Sequence, residues 1–462
     1  MELKTINIYL NTENSYLPKV KYVFNTICNI MGVKAKFFSG LTSEVIHIYY
    51  GIRTEDDYPI FIYHNPEAVD FFSRKELYPP QKINLIKYQD EFMPVLFSQK
   101  GELFKYTTTS IRIRKDLISS AFYFLSCWQE YASPDEVTPS SHYDYFESFQ
   151  YRFGFTDVPA VDRYCELLAN VIRRTFPEFS ISDIWPKGKK FALSLSHNVE
   201  FWNLQPSSDV DSPKASPYKK MFYFMNRNFY DDPSKMIKTI MRRENSLNAS
   251  SSYFVLTKSD FPDERRNYFD NEHYFNQIVN VLKDSSVNLH GSKEAAYQYH
   301  FLPQELDKLK GFSANGFRVR YLNFRYQNLF KVLEHANIKY DSSIGFDERI
   351  GYRAGISYPF QPYNMEENRP FNVLEIPLIV MDMALFSQTG ANIKQAGRRI
   401  NQLIGIAKRH KSHLSICWHT HMFNPAEHPY WAKLYWKSLQ TAKLNKAWLC
   451  SLDKLYNYWK NR

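Results

Sequence analysis

A chain of 462 residues is longer than one hydrophobic core ordinarily fills, so two domains are expected. Hydrophobic residues at 44% and charged residues at 23% exclude wholesale disorder, and no run of about 18 apolar residues is present to span a membrane. The net charge of +10 is scattered along the chain, which argues against a nucleic-acid site and for a mildly basic surface suited to anionic partners.

The first third alternates short strands with helices. Runs of β-branched and aromatic residues at 4–10, 33–39, 46–50 and 60–64 have strand length. Between the first two, Val20, Val23, Phe24, Ile27 and Ile30 fall at helical spacing within 18–31. Further helices are expected at 115–131 and 159–176. The stretch TFPEFSISDIWPKGKK (175–190), with two prolines and a basic end, reads as an exit linker. This gives an N-terminal α/β domain over 1–183 and a second domain over 184–462. The opening MELKTINIYLNTENS lacks the apolar core of a signal peptide. Cys28, Cys127, Cys165, Cys417 and Cys450 are odd in number, far apart and without a CxxC pair, which suits buried free thiols in a reducing compartment. A cytoplasmic protein is expected.

From residue 191 the pattern becomes regular. Apolar strands are expected at 191–197, 252–257, 286–291, 316–322, 340–346, 372–380 and 414–420, with helices such as 325–336 and 392–409 between them. Seven strands alternating with helices imply parallel strands joined by right-handed crossovers, in an open sheet or a barrel. Polar residues interrupt the apolar runs mostly at their C-terminal ends. The first run ends in His197, Asn198 and Glu200, and the third in His290 and Ser292. The fourth carries Arg318 and Arg320, and Asp341 opens the fifth. Glu375 and Asp382 belong to the sixth, His419 and His421 to the seventh. One histidine at a strand end is more often structural than a ligand. Several strands doing this with one polarity point to a site assembled at that end, as in closed α/β barrels.

The motifs carry a resemblance. SHNVE (196–200), LHGSKEAA (289–296), FRVRYLNF (317–324), YDSSIGF (340–346), GYRAGISYPF (351–360) and CWHTH (417–421) occur in an order similar to that of polysaccharide deacetylases with a NodB-like domain. The likeness is to a bacterial branch with an uncharacterised α/β domain in front, which FYFLSCWQEY and VPAVDRY resemble here. It implies an α/β fold whose C-terminal domain is a distorted seven-stranded (β/α) barrel. It also implies a divalent, zinc-like metal on one carboxylate and two imidazoles, and an acetylated carbohydrate substrate.

By motif position the metal carboxylate is Glu200, the first imidazole His290, the general base Asn198 and the general acid His419. Arg318 and Arg353 complete the candidate catalytic set. His197, Ser292, Arg320, Asp341, Glu375 and His421 would line the pocket. Two positions depart from the chemistry. Asn198 is an amide and cannot take a proton as a carboxylate does, and Arg320 stands where the second imidazole belongs. Arg320 is expected to pair with Glu200 or Glu375 in place of the ion. Two readings stay open: a deacetylase-family hydrolase with a degraded catalytic set, whose metal is weakened or lost, and a glycan-binding scaffold that keeps the cleft alone.

Overall fold

The computed structural model describes residues 5–52, 57–77, 83–98, 101–133, 143–178, 183–201, 233–258, 271–425 and 427–462, with the single positions 217 and 269. The N-terminal unit is built on a six-stranded sheet. Its strands are β1 (Thr5–Leu10), β2 (Lys34–Phe38), β3 (Ile48–Gly51), β4 (Ile60–Tyr63), β5 (Phe104–Tyr106) and β6 (Ile111–Ile113), in the order β2-β1-β3-β4-β6-β5. All pairs are parallel except β5 with β6. Helix α1 (Leu17–Met31) starts with proline in its first turn and stops at Gly32, whose φ of 68° suits glycine. The helix expected at 115–131 is two, Leu117–Leu125 and Trp128–Ala132, broken where Cys127 turns left-handed. Of the expected linker, residues 179–182 lie outside the described set. Trp185 in it is buried and donates Nε1–H to the Lys411 carbonyl at 2.6 Å.

The C-terminal unit is one nine-stranded parallel sheet. It comprises β7 (Phe191–Val199), β8 (Ser251–Leu256), β9 (Ser286–Gly291), β10 (Gly316–Val319), β11 (Tyr340–Asp341), β12 (Leu374–Glu375), β13 (Val380–Met381), β14 (His413–Cys417) and β15 (Ala447–Ser451). The order runs β12-β11-β10-β9-β8-β7-β14-β13, and β15 lies beside the first half of β7. The two edge strands, β12 and β13, are separated in sequence only by residues 376–379. Laid flat, eight strands would hold their edges about 33 Å apart at ~4.8 Å spacing. Those few residues can reach only about 17 Å. The sheet must therefore curl, and one extended segment touches both edges.

The seven runs expected from sequence all contribute strands, and β15 is an addition. Four runs give shorter strands than expected: 340–346 keeps Tyr340–Asp341, 414–420 ends at Cys417, and the other two have clear causes. Residues 372–380 split because Pro377 has no N–H to donate and the chain is crossing from one edge to the other. Residues 316–322 stop at Val319, after which Tyr321 and Leu322 take left-handed φ values of 55° and 48° in a tight turn. A closed seven-stranded barrel is not what is seen; the sheet is a curled one with two edges.

The apolar core does not stop at residue 183. Ile8, Phe24 and Phe122 of the first unit belong to one buried cluster with Val255, Leu289, Phe317 and Trp459 of the second. All five cysteines are free and buried. Among the described residues no helix is long and apolar enough to cross a membrane.

Arg353 lies on this seam and not in the site. Its guanidinium donates Nε to Glu130 Oε1 at 2.8 Å and Nη2 to Oε2 at 2.7 Å, with both side chains buried. Nη1 donates to the Gly345 carbonyl at 2.8 Å. Removing one partner strands a buried charge, so Arg353→Met or Glu130→Leu alone is expected to lower unfolding free energy by about 3–5 kcal/mol. The double variant should lose less than the sum. Urea unfolding of the four proteins measures the coupling, and strict additivity would contradict it.

Candidate functional site

The site grows from β7. Its residues Phe191–Val199 are all buried, so the polar groups at its end are placed in the interior, not in water. Arg318, on β10, spans that interior. Its Nη1 donates to Asn198 Oδ1 at 2.9 Å, Ser196 Oγ at 3.0 Å and Cys417 Sγ at 3.2 Å. Nε donates to the Ser342 carbonyl at 2.9 Å and Nη2 to Ser342 Oγ at 3.0 Å, while the guanidinium carbon sits 4.2 Å from the centre of the Phe254 ring.

This contact orients the amide. A guanidinium only donates, so the atom of Asn198 facing it is the oxygen. The amide nitrogen then faces His419 Nε2 at 3.2 Å. His419 is held from the other side by Asp382, whose Oδ1 lies 2.6 Å from Nδ1 and whose Oδ2 accepts the His419 backbone N–H at 2.6 Å. Glu200 Oε1 lies 3.6 Å from Nε2. Burial works against charge on His419, but Asp382 and Glu200 override it and hold the imidazole well above its ordinary range. The two carboxyls are affected in turn. Burial would raise both, yet the hydrogen bonds of Glu200 to His290 and His419 bring it well below the usual carboxylate range, and His419 lowers Asp382. The result is a carboxylate–imidazolium–carboxylate row.

Glu200 also meets His290, Oε1 to Nε2 at 3.1 Å. His290 Nδ1 lies 3.1 Å from the Arg318 carbonyl, which can only accept, so Nδ1 carries a proton. Burial pulls His290 below its ordinary range, against the opposing charge and hydrogen bond of Glu200 where Oε1 meets Nε2. Those two atoms are a start on a cation site. A zinc-like ion needs three or four such ligands, and among the described residues no three His, Cys, Asp or Glu side chains converge in a way that could hold one. Among the described residues, Glu200 and His290 supply two such ligand atoms, short of a zinc-like shell.

Arg320 is buried at the start of the turn after β10. Its guanidinium carbon lies 4.6 Å from the centre of the Tyr321 ring, and Nη2 donates to Tyr321 Oη at 2.9 Å. The ion pair expected with Glu200 or Glu375 is not formed, because Glu200 already answers two imidazoles and Glu375 is engaged elsewhere. Glu375 and Asp341 face each other across β11 and β12. Burial raises both, and the neighbouring Asp341 adds to the rise of Glu375, which stands well above the usual carboxylate range. Asp341 accepts from Ser343, and Glu375 Oε1 from the Ile344 N–H at 3.0 Å. This pair shapes the 342–346 loop.

Three other expected site residues serve packing. His197 turns away, with Nδ1 2.8 Å from the Trp418 carbonyl and Nε2 3.0 Å from Glu244 Oε1. Ser292 caps the helix Lys293–Tyr297 and bonds Glu305. His421 is held neutral, pushed down to about 3 by burial and by the charge on His419, whose ring centre is 5.3 Å away. The sequence reading missed Ser196, Ser342 and Cys417 as the cradle of Arg318. Ser342 lies in the quoted YDSSIGF motif, but nothing in the sequence says that a guanidinium will reach it.

A pH prediction follows from the row around His419. A raised folded value adds stability that is complete below about pH 6.5, the unfolded histidine value, and is lost as pH rises through the folded one. The lowered values of Glu200 and Asp382 add stability that is lost at acid pH. Asn198→Asp replaces the N–H facing Nε2 by an acceptor, so His419 should stay protonated to a higher pH, by about one unit or more. Nitrogen-15 NMR of the imidazoles reads this directly; an unchanged titration would mean that the amide does not face Nε2.

Comparison with known proteins bears mainly on the N-terminal unit. Residues 7–177 match the model of a family of unknown function (DUF7033). No curated protein matches the chain. Among solved structures, one described as a "putative polysaccharide deacetylase from Mycobacterium smegmatis" is similar over 60% of this chain and 92% of its own, at 12% identity and a TM-score of 0.41.

Proposed function

We propose that the chain is a deacetylase-type α/β protein that binds an acetylated glycan of the bacterial surface or exopolysaccharide, with its hydrolytic set disabled. The observation that carries this is Asn198. Hydrolysis of an acetyl group needs a base to take a proton from water, and an amide fixed between Arg318 and His419 has no such capacity. Binding chemistry persists beside it. Glu200 and His419, 7% and 5% exposed, offer charged partners for sugar hydroxyls and for the acetyl oxygen, with Asp382 buried behind His419.

A hydrolytic reading retains one specific support, the His419 imidazolium. A protonated histidine backed by Asp382 is a competent acid for a departing amine or hydroxyl. An acid without a base leaves a residual rate at best.

A paired measurement decides between them. The protein is expected to bind a fully acetylated chito-oligosaccharide by calorimetry and to release no acetate above background, with or without added divalent metal. The double variant Asn198→Asp, Arg320→His should gain acetate release when metal is added, by about 10²–10⁴ over the parent. Each single variant should gain far less. A parent that releases acetate as fast as the double variant would return the protein to the hydrolases.

A further inference from the structure

A second groove, of about 680 Å³, runs between α1 and the other end of the curled sheet. That volume lies within the ~300–1,000 Å³ typical of small-ligand sites. It is separate from the cleft around Asn198. Lys339 and Val373 line it, and they directly precede β11 and β12, whereas Asn198 and His290 lie near the C-terminal ends of strands running in the same direction.

Its charge is one-sided. The carboxylate that lines it, Glu334, is taken by Arg369 through a forked pair with both contacts at 2.9 Å. Lys21, Lys339, Lys460 and Arg462 also line it, and none has a carboxylate within ion-pair distance among the described residues. The three lysines are exposed, so their charge is available to a ligand. Along α1 the spacing of Lys21, Asn25 and Asn29 places a cation and two amides on one ridge facing the groove.

The floor holds a further demand. Trp459 is 4% exposed, and among the described residues its indole N–H has no acceptor; a second buried donor without one there is Nη2 of Arg462. The Arg462 guanidinium carbon lies 5.4 Å from the centre of the Trp459 ring, and its Nη1 donates to the Asn29 carbonyl at 3.3 Å. Buried donors next to an excess of cations ask for an anionic acceptor. Amides add the donor and acceptor pairs that match vicinal hydroxyls, and the ring of Tyr456 supplies an apolar wall.

We infer that this groove binds an acidic saccharide, a glycan segment carrying carboxylate groups, at a site independent of the acetyl-sugar cleft. Carboxylates meet Lys21, Lys460 and the Trp459–Arg462 donors, and hydroxyls meet the amide ridge. Attraction by mostly exposed cations is screened, so binding weakens as salt rises.

Calorimetry on the full chain tests this with trigalacturonate, its methyl ester, inorganic phosphate and a short oligothymidylate. Trigalacturonate is expected to bind and the neutral ester to bind about tenfold more weakly or not at all. Lys21→Glu with Lys460→Glu, two exposed changes, should lower trigalacturonate affinity about tenfold or more without altering thermal unfolding. Asn198→Asp with Arg320→His should leave it unchanged, so that a failure of the cleft reading and a failure of this one are told apart. The inference is overturned by equal binding of acid and ester, by no effect of the lysine reversals, or by tighter binding of phosphate or oligothymidylate through the same lysines.

Discussion

The interior of the curled sheet is organised by one buried guanidinium. Arg318 touches β7 through Ser196 and Asn198, β8 through Phe254, β14 through Cys417, and the segment after β11 through Ser342. None of these groups is a carboxylate. A cation taken out of water without a direct counter-ion is held by dipoles and by several good hydrogen bonds at once. The nearest acidic pair is one shell away: burial raises Asp341 and Glu375, and the charge of Arg318 works against that rise in both. Strand packing, loop shape and the orientation of Asn198 therefore all depend on Arg318 staying in place.

The two departures at the cleft are coupled through charge. The resemblance implies a carboxylate where Asn198 stands and a neutral imidazole where Arg320 stands. The amide removes one negative charge and the guanidinium adds one positive, a change of +1 and +1, or +2. A divalent ion carries the same +2, so in a site of the kind the resemblance implies the two changes together would leave the net charge of the ion-filled site unaltered. The row of Glu200, His419 and Asp382 can then stand as a self-contained ion network.

Much of the fold was legible because burial imposes period and strand length on sequence. All seven runs of the curled sheet and helix α1 were read from apolar spacing, as were the helices Tyr326–His335 and Ile393–Arg409. What escaped was set by tertiary contact. The break at Cys127 lies inside a continuous apolar run and needs a left-handed φ that no local residue announces. β15 is short and follows a helix directly, so its pairing with β7 has no periodic signature. At the site, the structure places Asn198, Glu200, His290 and His419 within contact of one another. His197 was misplaced for a plain reason: on a strand buried on both faces, alternate residues point opposite ways, and His197 looks towards Glu244 while Asn198 looks towards Arg318.

The motif GYRAGISYPF shows how a pattern associated with catalysis can record something else. Every polar contact described for residues 351–357 outside their own loop and its neighbours reaches the N-terminal unit or stays in the core. Arg353 pairs with Glu130, and its carbonyl accepts from Gln150 Nε2 at 2.6 Å. The Ser357 N–H donates to Asp162 at 3.0 Å, and the Tyr352 N–H to the Thr156 carbonyl at 3.0 Å. Gly355 sits at φ 61° with Phe124 so close that an added Cβ would come within 2.9 Å of its ring. A side chain there would strain the backbone and collide with the helix Leu117–Leu125. These residues are the curled sheet's half of a shared core, so in this chain the motif serves the packing of the two units. Packing between the units constrains these residues whatever the chemistry at the far end of the sheet.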